Sequence, residues 1–370
     1  MDSGPSEWPS VCANGTESER SPRLVHTGQL AIGASHPPFV IAEMSGNHNQ
    51  SLERALQLVE AAAQCGAHAL KLQTYTAETI TLDVEGGAFK IDDPSSPWHG
   101  QTLHQLYRQA CTPWEWHEAI FRRGRQLGLV VFSSPFDESA VDFLESLDCP
   151  CYKIASFENV HLPLIRKASS TGKPLILSTG LAHVGELQEA VQVARSAGCQ
   201  NLTLLKCTSA YPAQPSDLNL RTIPHMRDLF GVEVGLSDHT LGHSAALAAV
   251  ALGATVIEKH LTLRRSDGGV DSTFSLEPHE MAELVQASHS VWEGMGGVFY
   301  GPTAREINSL QFRRSLYISA DLRAGQTLDA SNVRVVRPGL GLHPRYLDTV
   351  LGRKVTRDVS KGTPVQWDIL

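Results

Sequence analysis

The chain has 370 residues, 42% of them hydrophobic and 19% charged, with a net charge of −8. That is an ordinary globular composition with room for one large and one small domain. The negative balance argues against a nucleic-acid or acidic-membrane partner. No apolar run reaches the roughly 20 residues that a bilayer-spanning helix needs. The start of the chain lacks a basic segment followed by an apolar one. The seven cysteines have scattered spacings, Cys149-Pro150-Cys151 being too close for a CxxC pair. These features together predict a soluble, reducing, cytoplasmic setting.

In chain order, residues 1–28 are polar and rich in Pro and Ser and read as a disordered tail. Phe39–Ala42 is a buried strand ending in Glu43. Asn47-His48-Asn49 follows at the strand end, where His48 could bind a ligand or cap the next helix. That helix, Leu52–Cys65, stops at Gly66. His68–Tyr75 is a second strand, carrying Lys71 and Gln73. Thr76–Gln101, rich in Asp, Pro and Gly, reads as an insertion or lid. Four further units follow, with helices at Pro113–Leu127, Glu138–Leu147, Leu162–Ser170 and Glu186–Ala197. Their strands, Leu129–Phe132, Cys151–Ile154, Pro174–Leu177 and Leu202–Leu205, each open into polar residues. Val232–Leu236 ends in Ser237-Asp238-His239. Ser244–Leu252 is helical, and Thr255–Ile257 ends in Glu258-Lys259-His260. A helix at Pro278–Trp292 would close the ring.

Eight strand–helix alternations predict an α/β fold, a closed (β/α)₈ TIM barrel over residues 29–295. An open doubly wound sheet fits less well, because no GxGxxG turn follows the first strand. Residues 296–311 read as a linker. Residues 312–370 form a small β-rich domain, with strand-like runs at Ser315–Ile318, Val333–Val336 and Val355–Thr356 between glycine turns.

In a parallel barrel the chemistry sits at the C-terminal ends of the strands. Those ends give a polar ring of Glu43, Lys71, Gln73, Ser134, Lys153, Ser156, Glu158, Ser178, Thr179, Lys206, Ser209, Tyr211, Ser237, Asp238, His239, Glu258 and His260. His239 and His260 end neighbouring strands, and two imidazoles there suit a divalent metal. Lys71, Lys153 and Lys206 follow buried runs, where a lysine is either functional or paired. With the Ser134, Ser156 and Ser237 hydroxyls they suit a phosphate group. The alternative is pairing across the barrel with Glu43, Glu158 and Glu258. Glu43 and Glu158 are the candidates for general acid–base work.

The motifs IAEMSGNHNQSL, KLQTYT, FSSPF, YKIASFEN, LKCTSAYP, GLSDHTLG and IEKHLTL, in this order, resemble the sialic acid synthases. Those are barrel enzymes with a C-terminal antifreeze-like (SAF) domain, which RRSLY, RAGQTL and RPGLGLHP also resemble. Within the family the motifs look more like the pseudaminic acid branch than the N-acetylneuraminate branch. The resemblance implies condensation of phosphoenolpyruvate with an N-acetylated amino sugar, here 2,4-diacetamido-2,4,6-trideoxy-L-altrose. It implies Mn²⁺ or Mg²⁺ on His239 and His260, with Glu43 as catalytic acid or base. By motif match, Lys71, Ser134, Lys153, Ser156, Ser209 and Ser237 resemble the phosphoenolpyruvate ligands. Gln73, Glu158, Tyr211 and Asp271 resemble sugar contacts. Arg337 resembles the arginine that the SAF domain sends into the partner subunit's site, which implies a domain-swapped homodimer. Lys206 stands where many members carry His, and Ser209 where some carry Asn, which leaves the sugar less defined than the reaction. An N-acetylneuraminate- or legionaminic-type synthase, a Schiff-base aldolase and a non-catalytic sugar-binding barrel remain as alternatives.

Overall fold

A computed structural model describes residues 25–27, 30–94, 96 and 98–370. The expected disordered tail therefore lies outside the described residues up to Arg23 and Leu24, and its end is a strand. β1 (Val25–Thr27) pairs antiparallel with β2 (Leu30–Ile32). Eight parallel strands then close a barrel. They are β3 (Phe39–Glu43), β4 (Ala69–Thr74), β5 (Val130–Pro135), β6 (Tyr152–Ile154), β7 (Leu175–Ser178), β8 (Leu202–Cys207), β9 (Glu233–Asp238) and β10 (Val256–His260). They pair in chain order, and β10 returns to β3.

Every residue of β3, β9 and β10 is buried. Parallel strands covered by helices are dry on both faces and so read as continuous apolar runs. Some of the helices start at a side-chain cap. Ser51 accepts from Arg54 N ahead of Leu52–Gln64, and the Asp137 carboxylate accepts from Ser139 N and Ala140 N ahead of Glu138–Ser146. Each cap satisfies amides that the first helical turn leaves unpaired.

The register decides which polar residues meet. Glu43 lies opposite Lys71 on one side and His260 on the other, and Gln73 lies opposite Ser134. Ser237 lies opposite Glu258, and Asp238 opposite Lys259. Successive residues of a strand face opposite sides. Glu258 and His260 therefore share the barrel interior, and Lys259 turns toward the helices.

The chain divides into two compact units between Gly296 and Gly297. In the second, β11 (Ser315–Ile318) pairs antiparallel with β12 (Val333–Val336) over a core that includes Leu316, Leu328, Val350 and Val365. The third strand-like run, Val355–Thr356, forms no strand. It is tied instead through Val355 N to Gln326 O and Gly325 N to Val355 O. Pairing there stops at a single antiparallel bridge between Lys354 and Thr327.

Candidate active site

The strand ends open into a cavity of about 580 Å³. Of the candidate barrel residues, Glu43, Lys71, Gln73, Ser134, Lys153, Ser156, Glu158, Tyr211, Ser237, His239, His260 and Asp271 all line it. Ser209 is set just behind. A Cβ on Gly180 would collide with the Ser209 hydroxyl and would lie 2.6 Å from that of Ser156. The two hydroxyls thus converge on a strand end that only glycine leaves open.

At the floor, Lys71 bridges two carboxylates, at 2.8 Å from Glu43 Oε2 and 2.9 Å from Glu258 Oε1. Gln73 donates to Glu43 Oε1 at 2.7 Å, and Ser237 to Glu258 Oε1 at 3.1 Å. Lys153 donates to the Ile154 carbonyl at 3.3 Å and stands 3.7 Å from Glu258. The pairing alternative is therefore what the structure shows for Lys71. Lys153 is the less committed ammonium. Lys206 is not on the cavity; its Nζ donates to the Cys207 carbonyl at 3.0 Å.

Charge follows from this packing. Burial favours neutral Glu43, but Lys71 and His260 outweigh it and hold the carboxyl well below the usual range. Burial likewise opposes the Lys71 charge, and Glu258 and Glu43 more than restore it. Lys153 is lowered by burial, against Glu258. Glu158 has no such partner at contact distance. Burial pushes its carboxyl up to about 7, against a weaker pull from Lys153. A carboxyl poised there in a cleft is the pattern expected of functional sites.

The two histidines adjoin, with ring centroids 5.3 Å apart. His239 Nδ1 lies 3.1 Å from the Thr208 carbonyl, which fixes the tautomer and leaves Nε2 free to ligate. His260 Nδ1 is buried without a hydrogen-bond partner, 3.9 Å from Asp271, and Nε2 lies 3.6 Å from Glu43. An orphaned ring nitrogen beside a second imidazole fits a divalent cation. Among the described residues no group of three or more His, Cys, Asp or Glu is spaced to hold one. The pair would thus be a partial shell, completed by substrate and water oxygens.

His48 neither lines the cavity nor caps the next helix, which Ser51 does; its ring is tied within its own loop and to Thr112. Its Nδ1 accepts from Gln50 N at 3.2 Å, and its Nε2 donates to Thr112 at 3.2 Å. Asp238, expected at the mouth, turns away from the cavity toward Lys259. One wall was not foreseen. Tyr75, with ring centroids 5.8 Å from Tyr107 and 4.9 Å from Phe136, joins Ile80, Leu103 and Leu106 in an apolar face. Most of it comes from the 76–101 insertion and from a helix, Leu103–Ala110, that the sequence reading left unassigned. Its signal was present as Thr102 and Gln105, which form a capping box. The insertion does roof the mouth, for Trp98 packs 6.0 Å from Tyr211 and donates to the Val270 carbonyl at 2.9 Å.

Fold and site together define a (β/α)₈ barrel whose mouth gathers buried carboxylates, two ammonium groups and a pair of histidines around one cavity. The chain belongs to the NeuB family, which residues 58–299 match, and residues 313–370 match the SAF domain. It is 41% identical to the pseudaminic acid synthase of Helicobacter pylori, across 90% of this chain and 97% of that one. It is 34% identical to the N,N'-diacetyllegionaminic acid synthase of Legionella pneumophila, across 91% and 95%. The crystal structure of the N-acetylneuraminic acid synthetase of Leptospira borgpetersenii in complex with citrate superposes with a TM-score of 0.70, at 29% identity. That match covers 79% of this chain and 96% of that one. The described residues include no helix long and apolar enough to cross a membrane. The six described cysteines carry free thiols.

Proposed function

We propose that the chain is a pseudaminic acid synthase, condensing phosphoenolpyruvate with 2,4-diacetamido-2,4,6-trideoxy-L-altrose and releasing phosphate by C–O cleavage. The observation that carries this reading is a set of buried polar atoms around one cavity with nothing to bond. They are Ser134 Oγ, Ser178 Oγ, Glu158 Oε2, Glu258 Oε2 and His260 Nδ1. Such groups are costly unless a ligand satisfies them.

Lys153, with Lys71, Ser134, Ser156, Ser209 and Ser237, takes the phosphoenolpyruvate, while Gln73, Glu158, Tyr211 and Asp271 take the sugar. The methylene carbon of phosphoenolpyruvate bonds to the sugar's aldehyde carbon. Water then adds to the former enol carbon, and phosphate leaves with its bridging oxygen. His239 and His260 would hold Mn²⁺ or Mg²⁺, which when bound would supply Lewis-acid polarisation of the aldehyde.

Glu43 receives the proton of the attacking water, and its basicity depends on Lys71. While Lys71 is bound at 2.8 Å the carboxylate is a weak base. Drawing the ammonium toward an incoming phosphate removes the adjacent positive charge and raises the Glu43 proton affinity. Substrate binding thereby arms the base. Arg337 is exposed in the second unit and reaches the site of a partner subunit in a domain-swapped homodimer.

The test is phosphate release from phosphoenolpyruvate with Mn²⁺, offering the altrose sugar and N-acetylmannosamine side by side with product mass as readout. Turnover confined to the altrose sugar supports the proposal. Preference for N-acetylmannosamine overturns the substrate and keeps the chemistry. Silence with both, under conditions where Mn²⁺ binds, overturns the pseudaminic reading and moves weight to the legionaminic precursor, and then to a non-catalytic barrel.

A further inference from the structure

Behind the metal-facing histidines lies an ion pair that the reaction above does not use. Lys259 and Asp238 have side chains fully removed from solvent, with Nζ 2.7 Å from Oδ2. Both sit between the barrel and its helical layer, on the side of their strands opposite the cavity. Lys259 also donates to the Thr240 carbonyl at 2.5 Å. The second Asp238 oxygen accepts from Thr240 N at 2.9 Å and from its hydroxyl at 2.8 Å. His239 stands between Asp238 and Thr240. Its backbone is therefore gripped on both sides from behind, and its carbonyl accepts from Ala213 N at 3.0 Å.

Stability alone explains this poorly. A buried ion pair replaced by well-packed apolar groups is often neutral or stabilising, and apolar residues are the rule on the outer face of a barrel strand. The one thing such a pair supplies that an apolar residue cannot is a fixed direction for the chain that carries His239. We propose that Lys259, acting through Asp238 and Thr240, is the positioning residue that holds the His239 imidazole at the geometry for metal binding. The inference rests on the reading of His239 as a metal ligand. Outer partners of metal ligands typically change affinity by about 10–100-fold when removed.

The experiment compares Lys259→Met, Asp238→Asn and the double variant in the full chain. Melting temperature, Mn²⁺ affinity by calorimetry, and kcat and KM for phosphoenolpyruvate are measured. Each single variant strands a buried charge or polar group and melts earlier. The double variant recovers most of the melting temperature yet binds Mn²⁺ about 10-fold more weakly or worse, with kcat reduced and the phosphoenolpyruvate KM little changed. A double variant that recovers both stability and Mn²⁺ affinity overturns the inference. Should the double variant fail to fold, Thr240→Val serves, since it deletes only the hydroxyl bond to Asp238. It weakens Mn²⁺ binding with little change in melting, and an unchanged affinity overturns the inference. His239→Ala is the reference. If it abolishes Mn²⁺ binding while the double variant binds as wild type, the positioning role fails alone. If the wild-type protein binds no Mn²⁺ either alone or with phosphoenolpyruvate present, the metal reading fails and takes the positioning role with it.

Discussion

Glu158→Gln should stabilise the substrate-free protein at pH 8.5 and leave it unchanged near pH 4.5. The Glu158 carboxyl ionises at an ordinary 4.5 in the unfolded chain, but burial lifts it to about 7 in the fold. Between those values the folded state binds more protons than the unfolded one. Stability is therefore fully present below pH 4.5 and is lost as pH rises through 7. At about 1.4 kcal/mol for each unit of pKa, the loss reaches roughly 3 kcal/mol as an upper bound. Glutamine keeps the shape and does not ionise, and the buried Oε2 has no partner to lose. Urea unfolding of both proteins from pH 4.5 to 8.5 reads the difference directly. A stability gap that opens across pH 5–7 and then levels off is expected, together with lower turnover, because the carboxyl is proposed to hold the sugar. A gap that is constant with pH would refute the reasoning, since it would mean that Glu158 ionises normally in the fold.

Lys71→Met should leave Glu43 and Glu258 without the ammonium that bridges them, at a cost of about 3–5 kcal/mol. It should also impair phosphoenolpyruvate use, both readable as urea midpoint and KM. Gly180→Ala would push apart the Ser209 and Ser156 hydroxyls. The expected result is a raised phosphoenolpyruvate KM with an intact circular dichroism spectrum, and an unchanged KM would remove both serines from the phosphate site. Mixing an inactive His260→Ala subunit with an Arg337→Ala subunit should restore part of the activity if the arginine acts across the dimer. No recovery in verified mixed dimers would place Arg337 outside the partner's site.

The alternation of apolar runs with helical stretches was enough to give the barrel, because each βα unit carries its own period, caps and turn residues. The strand-end rule then collected most of the residues around the cavity without any coordinates, since an inward-facing polar residue at the end of a buried parallel strand has only the mouth to face. Lateral partners were another matter. That Lys71 bridges Glu43 and Glu258 while Lys206 turns away depends on register between strands distant in sequence. That the His48 ring is held away from the cavity depends on Thr112, in the loop that follows Leu103–Ala110. Asp238 and His239 are neighbours in sequence and face opposite sides of the barrel wall. Only closure of the sheet, with β10 returning to β3, decides which of two adjacent ionisable residues meets substrate and which is buried behind it.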